Sequence, residues 1–183
     1  MPAPQTHTLR IAGISRELPL FQVAPGLRIA VLNMLGDTEL VEVAAEALAE
    51  SLTVLDYQVL VTAEAKSIPL AHALGRRTGK PWVVLRKQWK PYMGEALEAA
   101  TDSITTGKPQ TLYLDEKDRA VLDGRAVILL DDVISTGSTV AAMRGIVARA
   151  GARVIGVAAA CTEGDADAPE DVIALAHLPL FRD

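Results

Sequence analysis

An apolar segment that runs into two carboxylates and then into small polar residues is the most chemically informative part of the sequence. Residues 127–139 read Val-Ile-Leu-Leu-Asp-Asp-Val-Ile-Ser-Thr-Gly-Ser-Thr. The apolar part predicts a buried strand, and the pattern that follows predicts a helix. The small residues between them allow backbone N–H groups to curl around an anion, and the helix N-terminus adds its positive dipole end. We therefore expect a phosphate-binding turn formed by Ser135, Thr136, Gly137, Ser138 and Thr139.

The two carboxylates, Asp131 and Asp132, cannot hold the same phosphate because like charges repel. Beside it, they can accept hydrogen bonds from sugar hydroxyls, and each charge-assisted bond contributes about 1.5–3 kcal/mol. The pattern therefore suits a ribose 5-phosphate. The alternative is an ordinary strand–turn–helix in which Ser135 or Thr136 caps the helix. That alternative explains neither the acidic pair nor the run of small residues after it.

The elements that must position these residues alternate between strand and helix patterns. The strand-like segments are Tyr57–Thr62, Trp82–Leu85, Gln110–Leu114, Ala126–Leu130 and Arg153–Ala160; helices begin near Asp37 and Ser67, and another runs through Val140–Val147 before Gly151. This alternation predicts an α/β fold with a doubly wound, mostly parallel sheet. In such a sheet, ligands bind beyond the carboxyl ends of the strands, where residues 131–139 lie.

One connection is unusually long. Gln88–Pro109 separates two predicted strands, whereas connections in compact domains usually have about 4–6 residues. Long loops of this kind are typically functional or mobile. The alternative is a short surface helix around Glu95–Ala100.

The segment at 127–139 resembles the binding signature of the type I phosphoribosyltransferases, which bind 5-phosphoribosyl-1-pyrophosphate. The shared pattern is four apolar residues, Asp-Asp, two apolar positions and Ser-Thr-Gly-Ser-Thr. Most of the chain is similar to this family, and most closely to the adenine phosphoribosyltransferases. The resemblance implies a single phosphoribosyltransferase domain over residues 1–183, with a small N-terminal hood at about 1–35 and a flexible loop at 88–109.

In that family, a pyrophosphate-binding loop with a basic residue between small ones follows the first central strand. The matching stretch is Thr62–Ser67, so the resemblance assigns substrate binding to Ala65, Lys66 and Ser67. The family's loop often contains a non-proline cis peptide, which we expect between Ala65 and Lys66. The alternative for Lys66 is an exposed lysine at a helix start, where a positive charge is unfavourable.

The adenine-type enzymes carry Arg-Lys-x-x-Lys at the start of the mobile loop, and residues 86–90 read Arg-Lys-Gln-Trp-Lys. The resemblance implies that Arg86, Lys87 and Lys90 neutralise the departing pyrophosphate. In the family some of these cations come from a neighbouring subunit, which implies a homodimer. The alternative is a solvated basic turn, the usual role of a charge run.

The resemblance also implies a reaction. A nucleobase nitrogen displaces pyrophosphate from C1 of the activated sugar and gives a nucleoside 5′-monophosphate. Asp131, Asp132 and Lys90 are the implied catalytic residues. Mg²⁺ is the implied cofactor, carried on pyrophosphate and ribose oxygens rather than on direct protein ligands. The partners are thus small molecules.

Two departures from the family leave the base open. The loop's Ser-x-Glu-Tyr-Gly corresponds to Ser103–Gly107, with Thr105 at the position of a glutamate proposed to transfer a proton. Glu95 and Glu98 are carboxylates that could replace it. The hood's Pro-Gly-x-x-Phe-Arg-Asp keeps only its turn, since residues 25–31 read Pro-Gly-Leu-Arg-Ile-Ala-Val. We expect a purine acceptor, adenine by default; the alternatives are a pyrimidine or unusual base, or a non-catalytic sensor of the activated sugar.

Composition bounds the class of protein. The chain has 183 residues, half of them apolar, with 18 basic and 23 acidic side chains and a net charge of −5. This predicts one domain and argues against general nucleic-acid binding. No apolar run approaches the roughly 20 residues that span a bilayer, and no secretory signal is visible, so we expect a cytoplasmic protein without membrane contact. A lone cysteine, Cys161, excludes an intramolecular disulfide, and scattered histidines argue against a zinc site.

Overall fold

The computed structural model describes residues 5–101, 110–165 and 171–182. Within these ranges the chain forms three β-sheets and four α-helices. The strands are β1 (Thr6–Ile11), β2 (Ile14–Ala24), β3 (Leu27–Ala30), β4 (Val59–Ala63), β5 (Trp82–Leu85), β6 (Leu97–Thr101), β7 (Gln110–Leu114), β8 (Ala126–Ile134), β9 (Arg153–Glu163), β10 (Val172–Leu178) and β11 (Phe181–Arg182). The helices are α1 (Thr38–Ser51), α2 (Ile68–Thr78), α3 (Arg119–Leu122) and α4 (Ser138–Arg149), and short 3₁₀ turns lie at 52–54, 91–93 and 116–118.

Five strands form a parallel sheet in the order β10-β9-β8-β4-β5. All of β4 and the first five residues of β8 are buried, as expected for strands covered on both faces. Ile128 and Leu130 pack with α1 and α2 on one side, and Val127 and Leu129 pack with α4 on the other. The predicted doubly wound α/β fold is confirmed.

The boundaries of the helices follow from local sequence signals. The Asp37 carboxylate accepts the N–H of Leu40 at 3.0 Å, so it caps α1 as predicted. Pro69 lies in the first turn of α2, where its missing N–H removes no helical hydrogen bond. That helix ends at Gly79, whose φ of +68° favours glycine. The longest helix, α1, has 14 residues, and in the described ranges no helix is both long and apolar enough to cross a bilayer.

Gln110–Leu114 is a strand, as predicted, but it lies outside the central sheet. It pairs antiparallel with Leu97–Thr101, and the Arg86 N–H donates to the Tyr113 carbonyl at 2.8 Å. The connection from β5 folds back as a strand, so β7 pairs with that strand instead of joining the parallel sheet. The alternative of a helix around Glu95–Ala100 is therefore wrong.

The segment predicted as a flexible loop, 88–109, contains this strand and a 3₁₀ turn at Pro91–Met93. Residues 102–109 lie outside the described residues. The predictions for Ser103–Gly107 and for Thr105 fall in that range.

The N-terminal residues form an antiparallel sheet with the order β1-β2-β3-β11, which we call the N-terminal sheet. The strand patterns of the sequence did not reveal it, because β3 pairs with β11 from the far end of the chain. The ring centroids of His7 and Phe181 lie 5.2 Å apart, so β1 and β11, the two edge strands of this sheet, are in contact. Arg16 Nε contacts Asp37 Oδ2 at 2.7 Å and connects the sheet to the start of α1.

Candidate functional site

The small residues after β8 form a turn whose backbone amides are available to a ligand. The strand ends at Ile134 and α4 begins at Ser138; between them, Gly137 has φ of +75°, a left-handed conformation that glycine adopts without a side-chain clash. Within residues 135–139, the Ser138 N–H faces Thr136 Oγ1 at 3.4 Å, and no other amide donates to a turn or cap carbonyl. These residues line a cavity of about 120 Å³ at the N-terminus of α4. The arrangement can bind an anion.

Asp131 and Asp132 belong to strand β8 itself. We predicted that the strand ends at Leu130, but it continues to Ile134 because it stays paired with β9 as far as Thr162. The Asp132 N–H donates to Asp131 Oδ1 at 2.9 Å. No arginine contacts either carboxylate in the part of the chain that the structure describes. Both are therefore available to a ligand.

The two aspartates influence each other's ionisation. Burial, and then the negative charge of Asp132, raise the pKa of Asp131 to about 8. The protonated form of Asp131 is therefore more favourable than that of a free aspartate. A protonated carboxyl beside a second carboxylate can both donate to and accept from the hydroxyls of a sugar.

Lys66 approaches the acidic pair from the loop after β4. Its Nζ lies 3.7 Å from Asp132 Oδ2 and donates to the Leu32 carbonyl at 3.1 Å. The loop contains a non-proline cis peptide, but between Glu64 and Ala65 rather than between Ala65 and Lys66 as we expected. The Glu64 N–H donates to the Leu85 carbonyl at 2.9 Å, which holds the residue before the cis bond against β5.

Ser67, predicted as a substrate-binding residue, is only 1% exposed. Its Oγ lies 2.7 Å from Thr62 Oγ1, which in turn lies 2.8 Å from the Leu130 carbonyl oxygen. These contacts hold the loop against β8. The Ser67 side chain is therefore buried, and its hydroxyl holds the loop to the end of β4.

The structure separates the predicted cations. Lys66 and Lys87 line a cavity of about 180 Å³ together with both aspartates and Thr139. Asp131, Val133 and Thr139 line both this cavity and the cavity at the turn of residues 135–139. The two cavities are therefore adjoining parts of one site. A sugar that spans them would contact the turn at one end and the two lysines at the other.

Arg86 and Lys90 lie elsewhere. The Arg86 guanidinium donates to the Glu64 carboxylate, which raises the pKa of Arg86. It lines a separate cavity with Tyr92 and Asp115. Lys90 precedes the 3₁₀ turn, and its N–H faces Met93 Sδ at 3.3 Å. Neither side chain lines the cavity of the aspartates.

A family model described as a phosphoribosyl transferase domain matches residues 33–175, which contain every site residue named above. The chain belongs to this family. A hypoxanthine/guanine phosphoribosyltransferase of Methanocaldococcus vulcanius is 36% identical over 106 residues, which cover 58% of this chain and 54% of that protein. The chain spans about half the length of the curated relatives that it matches first.

Solved structures of adenine phosphoribosyltransferases share the fold of this phosphoribosyltransferase domain. That of Thermoanaerobacter pseudethanolicus has a TM-score of 0.72 at 22% identity, covering 87% of this chain and 95% of that chain. That of Rhodothermus marinus has a TM-score of 0.69 at 25% identity, covering 87% and 93%. The predicted resemblance to type I phosphoribosyltransferases is confirmed.

Two carboxylates at the carboxyl ends of central strands were missed by our sequence reasoning. Glu64 binds Arg86 and accepts the Lys87 N–H at 2.8 Å, a pairing across loops that no local pattern indicates. Glu163 ends β9, which continues beyond the predicted end at Ala160. Its signal was present, because it follows a buried apolar run with only Thr162 between, and a carboxylate after such a run is also what drew attention to Asp131.

Proposed function

We propose that the chain is a purine phosphoribosyltransferase, which transfers the 5-phosphoribosyl group from 5-phosphoribosyl-1-pyrophosphate to a nucleobase nitrogen. The observation that carries the proposal is the pairing of a turn with available amides and two aspartates that no arginine contacts among the described residues, with Lys66 and Lys87 beside them. The turn suits the 5-phosphate, the carboxylates suit the ribose hydroxyls, and the lysines suit the pyrophosphate.

The reaction follows from this placement. The base nitrogen forms a bond to C1 as the bond from C1 to pyrophosphate breaks, so positive charge develops on the sugar ring. Asp131 and Asp132 orient the ribose, and the Asp132 carboxylate holds negative charge beside that ring, while the lysines stabilise the departing anion. Loss of one such electrostatic contact typically lowers turnover by about 10²–10³-fold.

The donor set also fits Mg²⁺ as the cofactor. Mg²⁺ prefers oxygen ligands and keeps several waters, so it commonly binds through one or two carboxylates and substrate phosphates. No group of three His, Cys, Asp or Glu residues that could enclose a metal occurs among the described residues, so the ion would be carried on pyrophosphate and ribose oxygens, with Asp131 and Asp132 beside it. When bound, the ion would neutralise charge on the pyrophosphate.

Arg86 and Lys90 enter the proposal through a homodimer. Both lie outside the cavity of the aspartates, so we propose that they serve the site of a neighbouring subunit. Sedimentation of the purified chain should then show a dimer. Lys90→Ala should slow turnover far more than it lowers the melting temperature, whereas equal losses would indicate a structural lysine.

The proposal of a purine rests on the relatives. The curated ones are named hypoxanthine/guanine phosphoribosyltransferases, and the similar structures are named adenine phosphoribosyltransferases. The test is pyrophosphate release when the protein is incubated with 5-phosphoribosyl-1-pyrophosphate, Mg²⁺ and a panel of purines and pyrimidines. Release with a purine supports the proposal, and release with pyrimidines alone contradicts it.

The second candidate is a sensor that binds the activated sugar without turnover. The observation that favours it is Thr105 at the position of the family's glutamate. In the same panel, tight binding of the activated sugar with no pyrophosphate release for any base would identify a sensor.

A further inference from the structure

Glu64 is a third carboxylate in the wall of the cavity that contains Asp131, Asp132 and the two lysines. In the proposed reaction the aspartates bind ribose hydroxyls, whereas the lysines bind pyrophosphate. A further carboxylate beside pyrophosphate is unfavourable, because like charges repel. The Glu64 side chain is only 22% exposed, so water screens that repulsion only in part. A role for Glu64 must therefore come with a partner that offsets its charge.

The two oxygens of the Glu64 carboxylate bind consecutive residues of the segment after β5. Oε1 accepts the Nε–H of Arg86, and Oε2 accepts the backbone N–H of Lys87 at 2.8 Å. The guanidinium neutralises the carboxylate, and hydrogen bonds in which one group is ionised are about twice as strong as neutral ones. One carboxylate thus holds both a side chain and the backbone of this segment.

These contacts extend the link between two strands beyond the point where their pairing ends. The last residue pair of β4 and β5 lies directly before Glu64, whose N–H donates to the Leu85 carbonyl at 2.9 Å. On its other side, Arg86 exchanges two backbone hydrogen bonds of 2.8 Å with Tyr113 of β7. Lys87 is the next residue along the chain, and the Glu64 carboxylate fixes its N–H.

The position of Lys87 matters because Lys87 lines the cavity proposed for pyrophosphate. It does so together with Lys66, whereas Arg86 does not line this cavity. A lysine ammonium lies at the end of a flexible four-carbon chain, so its direction depends on how the backbone is held. A displacement of a reacting or charged group by about 1 Å can lower a rate about 10²-fold.

We propose that Glu64 is a positioning residue, which holds the backbone of Lys87 so that the ammonium group of Lys87 faces the departing pyrophosphate. This inference rests on the proposed function. Glu64 acts through Lys87 rather than on the reacting atoms, and its ion pair with Arg86 offsets the repulsion between its own charge and the pyrophosphate. The opposite hypothesis is that Glu64 only repels pyrophosphate, in which case removal of its charge speeds turnover.

The test is a double-mutant cycle measured as kcat with 5-phosphoribosyl-1-pyrophosphate, Mg²⁺ and an accepted base. Lys87→Ala should lower kcat by about 10²–10³-fold, because it removes a charge that stabilises the departing anion. Glu64→Ala should lower kcat by about 10–100-fold, while the KM for the base stays within about twofold of the wild-type value. When Lys87 is already replaced by alanine, Glu64→Ala should lower kcat by no more than about twofold further.

Two variants separate positioning from a general disturbance of the fold. Glu64→Gln keeps an amide oxygen that can accept the Lys87 N–H, so it should lose less activity than Glu64→Ala. Glu42→Ala is the matched control, because Glu42 also pairs with an arginine, Arg77 at 2.8 Å, but lines neither cavity of the site. It should keep the wild-type kcat. If Glu64→Ala shows no cooperative thermal unfolding, Glu64→Gln takes its place in the cycle.

Losses in kcat that add in the double variant would overturn the inference, because Glu64 would then act independently of Lys87. Turnover in Glu64→Gln that is faster than in the wild type would also overturn it. Either result leaves the proposed function standing, since both require a wild type that releases pyrophosphate. A wild type that turns over no base overturns both.

Discussion

The raised pKa of Asp131 means that the candidate site lowers the free energy of unfolding at neutral and higher pH. The folded protein binds the Asp131 proton more tightly than the unfolded chain does, since the pKa rises from 3.8 to about 8. By linkage, the free energy of unfolding falls as pH increases through this range. Asp131→Asn removes the ionisable group while keeping its size, so the variant should be more stable than the wild type at pH 8 and nearly equal to it at pH 4.

The size of this gain follows from the shift. One unit of pKa corresponds to about 1.4 kcal/mol. Because the Asp131 side chain is only partly buried and water reaches it, we expect a gain of about 1–2 kcal/mol at pH 8. The same substitution should lower turnover, since an amide, unlike a carboxyl group, cannot ionise as positive charge develops on the sugar ring.

Urea unfolding at pH 4, 6 and 8 measures the effect for the wild type and for Asp131→Asn. Asp56→Asn is the matched control, because Asp56 is exposed and forms no ion pair with described residues. The control should keep the wild-type dependence on pH. The account of the acidic pair would be refuted if the free energy of unfolding of Asp131→Asn changed with pH as in the wild type. It would also be refuted if the variant were less stable than the wild type at pH 8.

Three further substitutions test the architecture around the site. Gly137→Ala places a side chain at φ of +75° and should cost about 1–2 kcal/mol in thermal unfolding while weakening ribose 5-phosphate binding in a titration. Thr62→Val removes the buried hydroxyl that lies between Ser67 Oγ and the Leu130 carbonyl and should cost about 1 kcal/mol in urea unfolding, whereas Thr62→Ser should cost less. Asp37→Ala removes the cap of α1 and should cost about 1 kcal/mol near pH 7. Arg16 lowers the pKa of Asp37, so this cost should be present above pH 3.8 and disappear as pH falls through the lower folded value.

Sequence reasoning succeeded where neighbouring residues decide the structure. Asp37 caps a helix because its carboxylate reaches the N–H three residues later, and Gly79 ends one because its own backbone is left-handed. The apolar run of β8 predicts a buried strand regardless of its partners. The turn at 135–139 is likewise local, and its small residues lie directly before the N-terminus of α4, as predicted.

The remaining features depend on residues far apart in the chain. Strand β11 exists because it pairs with β3, more than 140 residues earlier, and neither segment has a distinct pattern of its own. Arg86 binds Glu64 across two loops, a contact that the sequence around neither residue indicates. Ser67 was expected at the ligand, but its hydroxyl packs beside Thr62 in the core. In each case a partner from a distant part of the chain determines the local structure, and the sequence around the residue does not indicate that partner.

The central claim is that Asp131 and Asp132 hold a ribose whose 5-phosphate lies in the turn at 135–139. Calorimetric titration of 5-phosphoribosyl-1-pyrophosphate with Mg²⁺ into the wild type and into Asp132→Ala tests it most directly. The account predicts at least about tenfold weaker binding in the variant, from the loss of a charge-assisted hydrogen bond, with a thermal unfolding curve that shows the fold is intact. Equal affinity in the two proteins would contradict it.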